Sequence, residues 1–281
     1  GFRMRISHWF ALMLCSLGPM VLRAEPTPSS PLVIGEQFEL HSVALGEQRH
    51  INVYFPPGYD RARPARLPLL LMPDGGLDED FLHVAGLLQV GVANGTMRPM
   101  LLVGVANTER RRDMTGPTEN AEDRKIAPRV GGSAAFRRFL RTELLPELER
   151  RYALAPQRAI VGESLAGLFV VETFLREPDL FDTCIAVDPS LWWNNARLLE
   201  EAPELLRQGD RRSSRLFLAA SSQAELRRGA RQLESILAKG RIVGLQHEFR
   251  AFPDETHATV YHPAALVAFR HLMAPTPAAT R

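Results

Sequence analysis

Two stretches of the sequence are apolar on both faces of an extended strand, and they constrain the fold more than any other feature. Residues 67–72 and 100–105 contain no polar side chain. Such runs are typical of central parallel strands, because helices cover both faces of a parallel sheet. Residues 134–151 and several later segments have apolar positions at helical spacing. The sequence therefore predicts an α/β protein, with a mostly parallel central sheet and helices on both faces.

The same patterns predict eight strands and five helices. The strands are predicted at Gln37–Val43, His50–Phe55, Leu67–Met72, Met100–Ala106, Arg158–Val161, Thr183–Val187, Leu216–Ala220 and Gln246–Phe252. The helices are predicted at Ala134–Arg151, Leu165–Leu175, Arg197–Leu206, Ala224–Lys239 and Pro263–Met273. The first two strands alternate in polarity across a short connection, which predicts an N-terminal antiparallel hairpin.

The first residues have the pattern of a secretory signal. Arg3 and Arg5 precede an apolar run over residues 9–22, and Ala24 is a small residue suited to cleavage. The run is too short and interrupted for a stable membrane span, although an uncleaved anchor is the alternative. We therefore expect a signal peptide over residues 1–24 and export, to the periplasm. Proline and serine content predicts a linker over residues 25–34, one folded domain over 35–273 and a disordered tail over 274–281.

The charge balance does not favour nucleic acid as a partner. The chain has 34 Lys and Arg against 32 Asp and Glu, a formal net charge of +2. The arginine runs at 110–112 and 227–228 are not interleaved with aromatic residues, as they would be in a groove that follows a nucleic-acid strand. A small molecule is therefore the expected partner.

The segment Gly-Glu-Ser-Leu-Ala-Gly at residues 162–167 follows a predicted buried strand and opens a predicted helix. This is the context of a nucleophile elbow, a sharp turn that exposes a serine. The residues two before and two after Ser164 must be small, and Gly162 and Ala166 meet that requirement. A serine that only caps a helix is the alternative. We predict that Ser164 is a catalytic nucleophile.

A serine hydroxyl needs a neighbouring base, and His257 is the candidate. In α/β hydrolases the chain order is serine, acid, histidine, so the base lies near the C-terminus. His257 follows the last predicted strand in a loop. The other C-terminal histidines, His247, His262 and His271, lie within a strand or a helix, where packing or surface roles are expected.

The remaining catalytic groups are less clearly marked. The oxyanion donors are predicted to be the N–H of Leu165 and that of Gly75 or Gly76, in the loop after the third strand. A plain turn is the alternative reading of that loop. The acid is predicted at Glu225, the expected place after the seventh strand. Asp254, Glu255 and Asp188 are alternatives, and a Ser-His dyad that uses a backbone carbonyl also stays open.

Several segments together resemble the esterase D-related branch of the α/β hydrolases, which includes siderophore esterases of the enterobactin type. They are Leu71–Gly75, Val105–Arg110, Arg112–Thr115, Gly162–Gly167, Asp188–Trp193 and Asp254–His257. The resemblance spans residues 35–273. It implies hydrolysis of carboxylic esters through an acyl-enzyme, without a metal or a diffusible cofactor, and it supports Ser164 and His257.

The resemblance also implies a substrate mouth, which aromatic and cationic side chains would line to hold an aryl or catecholate ester. The residues implied are Trp192, Trp193, Arg110 and Arg112. Trp192 and Trp193 could equally fill the core under a loop. The sequence departs from the family at Glu163, where many relatives have histidine, and in lacking an evident acid after the seventh strand.

Two other function classes remain open from the sequence. An acyltransferase would use the same serine but pass the acyl group to an added alcohol or sugar. A non-catalytic binding protein, for example for a ferric siderophore, would bind ligand beside Trp192 and Trp193 while Ser164 stays unreactive toward a fluorophosphonate.

Overall fold

An eight-stranded sheet forms the centre of the computed structural model, which describes residues 27–211 and 213–275. The strands are β1 (Gly35–Ser42), β2 (Glu47–Tyr54), β3 (Leu67–Met72), β4 (Leu101–Val105), β5 (Leu154–Glu163), β6 (Thr183–Val187), β7 (Arg215–Ala220) and β8 (Gln246–Ala251). Their order is β1-β2-β4-β3-β5-β6-β7-β8. Strand β2 pairs antiparallel with β1 and β4, and all other pairs are parallel. The predicted fold class and hairpin are confirmed.

The predicted signal lies outside the described residues, as do residues 276–281 of the predicted tail. Residues 27–34 of the predicted linker have no regular secondary structure. The described residues from Ile34 onward form one unit of contacts.

Helices connect the strands. They are α1 (Phe81–Ala93), α2 (Arg110–Asp113), α3 (Ser133–Phe139), α4 (Leu145–Arg151), α5 (Leu165–Arg176), α6 (Trp193–Arg207), α7 (Ala224–Gly240) and α8 (Tyr261–Leu272). A π-helical turn over Leu140–Leu144 joins α3 to α4, so the predicted helix over 134–151 is continuous but changes its hydrogen-bond pattern. Across the described ranges, no helix combines the length and apolarity needed to cross a membrane.

Three helices differ from the sequence predictions, and one of them is the single-turn α2, which was not predicted. Helix α1 was not predicted, because its apolar residues occur on most of its surface and leave no clear helical stripe. Helix α6 begins before the predicted Arg197, and its residues 194–196 have left-handed backbone angles. The buried carboxylate of Asp123 accepts the N–H of Asn194 at 2.7 Å, which ties this irregular turn to the preceding loop.

The sheet separates two apolar layers. Leu69 and Leu71 of β3 pack with residues of α3 through α7, whereas Leu70 and Met72 pack with α1 and α8. Alternate side chains of a strand point to opposite faces, so an all-apolar strand serves both layers at once. The carboxyl ends of the parallel strands then share one rim of the sheet, where open α/β sheets bind ligands.

Close packing at that rim depends on Gly162, near the end of β5. A Cβ atom placed on Gly162 would lie 2.7 Å from the backbone carbonyl group of Ala166 in α5. Real Cβ atoms do not approach backbone so closely, so strand and helix would have to separate. Glycine at this position lets β5 pass directly into α5.

We expect Gly162→Val to lower the free energy of unfolding by about 1–3 kcal/mol, because the added methyl groups overpack this crossing. Gly86→Ala is the matched control, since a Cβ at Gly86 in α1 meets nothing within 4 Å and alanine favours the helix. Urea denaturation followed by circular dichroism measures both variants. Equal midpoints for Gly162→Val and wild type would contradict the packing argument.

Candidate active site

The turn at Ser164 has a backbone conformation that side-chain-bearing residues rarely adopt. Its φ is 61° and its ψ is −119°. Hydrogen bonds hold it there: the Ser164 N–H donates to Val187 O at 3.0 Å, and Ser164 O accepts the N–H groups of Leu168 and Ser190. Strain of this kind persists only when the surroundings over-determine it. The side chain is thereby fixed at the rim, between β5 and α5.

His257 lies in the loop between β8 and α8 and faces Ser164. The distance from His257 Nε2 to Ser164 Oγ is 3.1 Å. The loop is tied to the neighbouring strand β7, because the Ser222 N–H donates to Glu255 O at 2.9 Å. Residues distant in sequence are therefore brought within proton-transfer distance.

Asp188 holds the other nitrogen of the imidazole. His257 Nδ1 lies 2.9 Å from Asp188 Oδ2, and an ionised carboxylate only accepts, so Nδ1 carries the proton. Nε2 is then free to accept the Ser164 hydroxyl proton. Asp188 is fully buried, and its Oδ1 accepts the Ser221 N–H at 2.6 Å. Asp188 directly follows β6, so the carboxylate comes from the strand next to β5 in the sheet.

The first choice of acid from the sequence is corrected by this geometry. Glu225 lies in α7 and lines a cavity of about 400 Å³ with Trp192 and Arg228. Among the described residues, neither Glu225 nor Asp254 nor Glu255 makes a side-chain hydrogen bond or ion pair with His257. Asp188, named only as an alternative, makes this contact instead.

A second carboxyl group lies beside the same imidazole nitrogen. Glu163 Oε1 is 3.1 Å from His257 Nδ1, and the Glu163 side chain is 15% exposed. Within the part of the chain that the structure describes, its Oε1 is nevertheless without a hydrogen-bond partner, because the Nδ1–H points to Asp188. Burial raises the pKa of Glu163 to about 7, against the opposing attraction of His257 and Arg110.

The pKa of His257 is raised above its usual value. The hydrogen bond to Asp188 is the main cause, and the charges of Glu163 and Asp188 add to it, while burial and Arg110 act in the other direction. Carboxylates favour the charged imidazolium. The site is therefore built to stabilise a proton that arrives on Nε2.

The two glycines predicted as oxyanion donors are already engaged. The Gly75 N–H donates to Val105 O at 3.0 Å, and the Gly76 N–H donates to Glu79 Oε2 at 2.6 Å. Gly75 instead serves packing, because a Cβ there would lie 2.3 Å from Gly104 Cα. The prediction of Gly75 or Gly76 as a donor is therefore wrong.

Two other backbone N–H groups at the rim have no acceptor among the described residues. One is that of Leu165, the first residue of α5. The other is that of Asp74, whose φ of 54° turns the chain sharply after β3. The Asp74 carboxylate is held by Arg110, whose Nε and Nη2 donate at 2.6 and 2.9 Å. Arg110 Nη2 also reaches Glu163 O at 3.5 Å, which joins this loop to the elbow.

The arginines and tryptophans implied as substrate-binding residues are mostly occupied elsewhere. Arg110 binds Asp74, and Arg112 pairs with Glu47, Asp113 and Glu109. Trp193 is 4% exposed, and its Nε1–H donates to Gly116 O, so it belongs to the core. Of these two tryptophans, Trp192 is the one that is partly exposed, at the cavity that it shares with Arg228.

Two residues near Ser164 and His257 could have been recognised from the sequence. Asp188 directly follows the strand that comes after the elbow helix, and carboxyl ends of neighbouring parallel strands meet at one edge. Glu163 adjoins the serine and was noted only as a departure from the resemblance. No sequence pattern predicts that the Asp74 N–H has no acceptor, because that depends on the backbone conformation of the turn.

Comparison with known proteins finds a matching family and several relatives of this chain. A family model described as "Putative esterase" matches residues 42–238. Ferri-bacillibactin esterase BesA of Bacillus subtilis is 32% identical over an alignment of 182 residues, which covers 58% of this chain and 63% of that protein. A siderophore triacetylfusarinine C esterase of Aspergillus fumigatus is 32% identical over an alignment of 198 residues, which covers 63% of this chain and 62% of that protein. The matched regions thus span less than two thirds of these relatives.

Solved structures show the same fold. The IroE-like serine hydrolase from Shewanella oneidensis superposes with a TM-score of 0.76 at 27% identity, covering 85% of this chain and 80% of that chain. The BES protein from Bacillus cereus has a TM-score of 0.77 at 22% identity, covering 90% of this chain and all of that chain, a likeness of fold alone.

The raised pKa of Glu163 has a consequence for stability. Ionisation costs more in the folded chain than in the unfolded one, so stability conferred by the protonated group is lost as the pH rises from 4.5 through about 7. Glu163→Gln removes this dependence. The unfolding free energy of the variant, relative to wild type, is therefore expected to rise by about 3 kcal/mol between acidic and alkaline pH.

Urea denaturation at pH 4.5, 6, 7 and 8 measures this difference. Glu234→Gln is the matched control, since Glu234 also lies 3.1 Å from a histidine nitrogen, that of His247, but is more open to water. Parallel stability curves for wild type and Glu163→Gln would contradict the assignment.

Proposed function

The chain belongs to the esterase family, whose model matches residues 42–238, and we propose that it hydrolyses carboxylic esters with Ser164 as nucleophile, His257 as base and Asp188 as acid. The observation that carries the proposal is the contact series from Ser164 Oγ to His257 Nε2 at 3.1 Å and from His257 Nδ1 to Asp188 Oδ2 at 2.9 Å. A buried carboxylate, an imidazole and a serine in this order form the catalytic triad of a serine hydrolase.

The reaction follows from the positions of these groups. Ser164 Oγ attacks the ester carbonyl while its proton passes to His257 Nε2, and the imidazolium that results is stabilised by Asp188. His257 then gives the proton to the departing alkoxide, which leaves an acyl-enzyme on Ser164. A water molecule repeats the sequence: its proton passes to Nε2, its oxygen attacks the acyl carbon, and Ser164 regains the proton as the acid departs.

The developing oxyanion needs two N–H donors, and we propose those of Leu165 and Asp74. Both follow the carboxyl ends of strands, those of β5 and β3, and both lack an acceptor within the described part of the chain. The Leu165 N–H also stands at the N-terminus of α5, where the helix dipole favours negative charge. The ion pair of Arg110 with Asp74 fixes the second donor relative to the elbow.

We propose siderophore-type esters as the substrate class, with the cavity beside Trp192 as the place for an aryl or catecholate group. Two curated relatives are named siderophore or ferri-siderophore esterases. The cavity combines the partly exposed Trp192 with Arg228, and an aromatic face with a cation suits an electron-rich, anionic ring.

We expect wild type to hydrolyse both p-nitrophenyl butyrate and a catecholate siderophore triester, with and without Fe³⁺, and to react with a fluorophosphonate probe. Ser164→Ala should lose about 10⁴-fold or more in kcat/KM for both esters, because the nucleophile is gone. Ser133→Ala is the matched control, since Ser133 is fully buried and its hydroxyl has no hydrogen-bond partner.

Three results would speak against parts of this proposal. Retained turnover in Ser164→Ala would contradict the assignment of Ser164 as the nucleophile. Ligand quenching of tryptophan fluorescence without fluorophosphonate labelling would favour a binding protein. Acyl transfer to an added alcohol that outcompetes hydrolysis would favour an acyltransferase.

We also propose export to the periplasm, supported by Arg3, Arg5 and the apolar run over residues 9–22. Expression of the full chain in a Gram-negative host should yield mature protein in the periplasmic fraction. Its measured mass should equal that of a chain that starts at Glu25. Full-length protein confined to the cytosol would contradict the proposal.

A further inference from the structure

Resting on the proposed esterase function, we propose that Glu163 is a second carboxyl partner of His257, one that sets the basicity of the imidazole and holds its Nδ1–H when Asp188 is removed. Glu163 is a positioning residue, since it acts through His257. The mechanism above needs only one acid. The second carboxyl is therefore surplus to the triad and requires its own explanation.

The geometry gives one nitrogen two carboxyl neighbours. Asp188 Oδ2 lies at 2.9 Å and Glu163 Oε1 at 3.1 Å from His257 Nδ1. An Nδ1–H group has one proton and one direction, which Asp188 satisfies. Glu163 Oε1 is buried, lacks a hydrogen-bond partner and lies at hydrogen-bond distance. A small rotation of the ring would exchange one carboxyl for the other.

The sheet fixes both carboxyl groups at this spot. Glu163 is the last residue of β5 and pairs in register with Val187, the last residue of β6, and Asp188 follows at once. The Ser164 N–H bond to Val187 O locks the two strand ends together. The main chain at both carboxyl-bearing residues is therefore fixed beside the imidazole by the sheet and the elbow.

The charges around Glu163 explain why the two acids differ. The groups that influence Glu163 electrostatically are His257, Arg110, Asp188 and Asp80, and Glu163 in turn acts on the buried Tyr261. Arg110 already donates two hydrogen bonds to the Asp74 carboxylate, which weakens its electrostatic stabilisation of an ionised Glu163. Asp188 accepts hydrogen bonds at both carboxylate oxygens, from the Ser221 N–H and from His257 Nδ1.

Glu163, without such bonds, takes up a proton near neutral pH, where burial outweighs the attraction of the cations. Its negative charge therefore appears only as the pH rises through about 7. Once ionised, Glu163 adds to the attraction that Asp188 exerts on the imidazolium. Above a pH of about 7, the imidazole of His257 is therefore a stronger base than it would be beside Asp188 alone. The titrations of Glu163 and His257 are coupled, so the acid limb of the rate profile belongs to the pair.

The direct test is the pKa of His257, measured by ¹⁵N-histidine NMR and assigned by comparison with His257→Gln. Glu163→Gln should lower this pKa by about one pH unit, because a negative charge within 4 Å is removed. Glu163→Asp keeps the charge but withdraws it by one methylene, and should give a smaller fall. Glu234→Gln, beside His247, is the control and should leave the His257 signal unchanged.

The second test is a double-mutant comparison of kcat/KM at pH 8. Glu163→Gln alone should have a modest effect, because Asp188 still holds the Nδ1–H. In the Asp188→Ala background the same change should cost about a further tenfold, since the remaining carboxyl is lost. An equal effect of Glu163→Gln in both backgrounds would refute the replacement role.

The two measurements separate this inference from the proposed function. An unchanged pKa of His257 in both Glu163→Gln and Glu163→Asp overturns the inference, whatever the activity of the enzyme. A lowered pKa in a chain that neither cleaves esters nor reacts with a fluorophosphonate supports the coupling and overturns the esterase proposal.

Discussion

The left-handed turn at Ser164 is the constraint on which the arrangement of the site depends. A backbone with φ of 61° does not fit a regular strand or a right-handed helical turn, so the chain changes from β5 to α5 at that residue. Gly162 permits the close crossing, and the bond from the Ser164 N–H to Val187 O fastens the turn to the next strand. The hydroxyl, the Leu165 N–H and the Glu163 carboxyl all take their positions from this one bend.

The neighbouring strand end then supplies the acid. Asp188 is held after β6 by the Ser221 N–H, while the His257 loop is fastened to the end of β7 through Ser222 and Glu255. The imidazole therefore lies between two strand ends and can meet a carboxylate on β6. Full burial of Asp188 is tolerated because both of its oxygens accept hydrogen bonds, whereas Glu163 lacks one and takes up a proton instead.

The opposite side of the site is organised by an ion pair. The buried Asp74 carboxylate receives two bonds from Arg110, whose guanidinium also approaches the main chain at Glu163. The turn after β3 is thus tied to the elbow through the guanidinium of Arg110. The glycines of this turn serve its packing and its internal bonds, which explains why the N–H groups of Gly75 and Gly76 are engaged while that of Asp74 has no acceptor among the described residues.

Local pattern determined the fold class, the eight strands, the serine at its turn and the histidine in its loop, because each depends on short-range periodicity or on chain order at the ends of strands. Tertiary structure alone decided which carboxylates meet His257, since Glu225, Asp188 and Glu163 are all acidic residues near strand ends and only the sheet order brings the last two to one nitrogen. It also decided which N–H groups lack an acceptor and which of Trp192 and Trp193 is buried. Both depend on what packs against a residue in space, which the linear sequence does not specify.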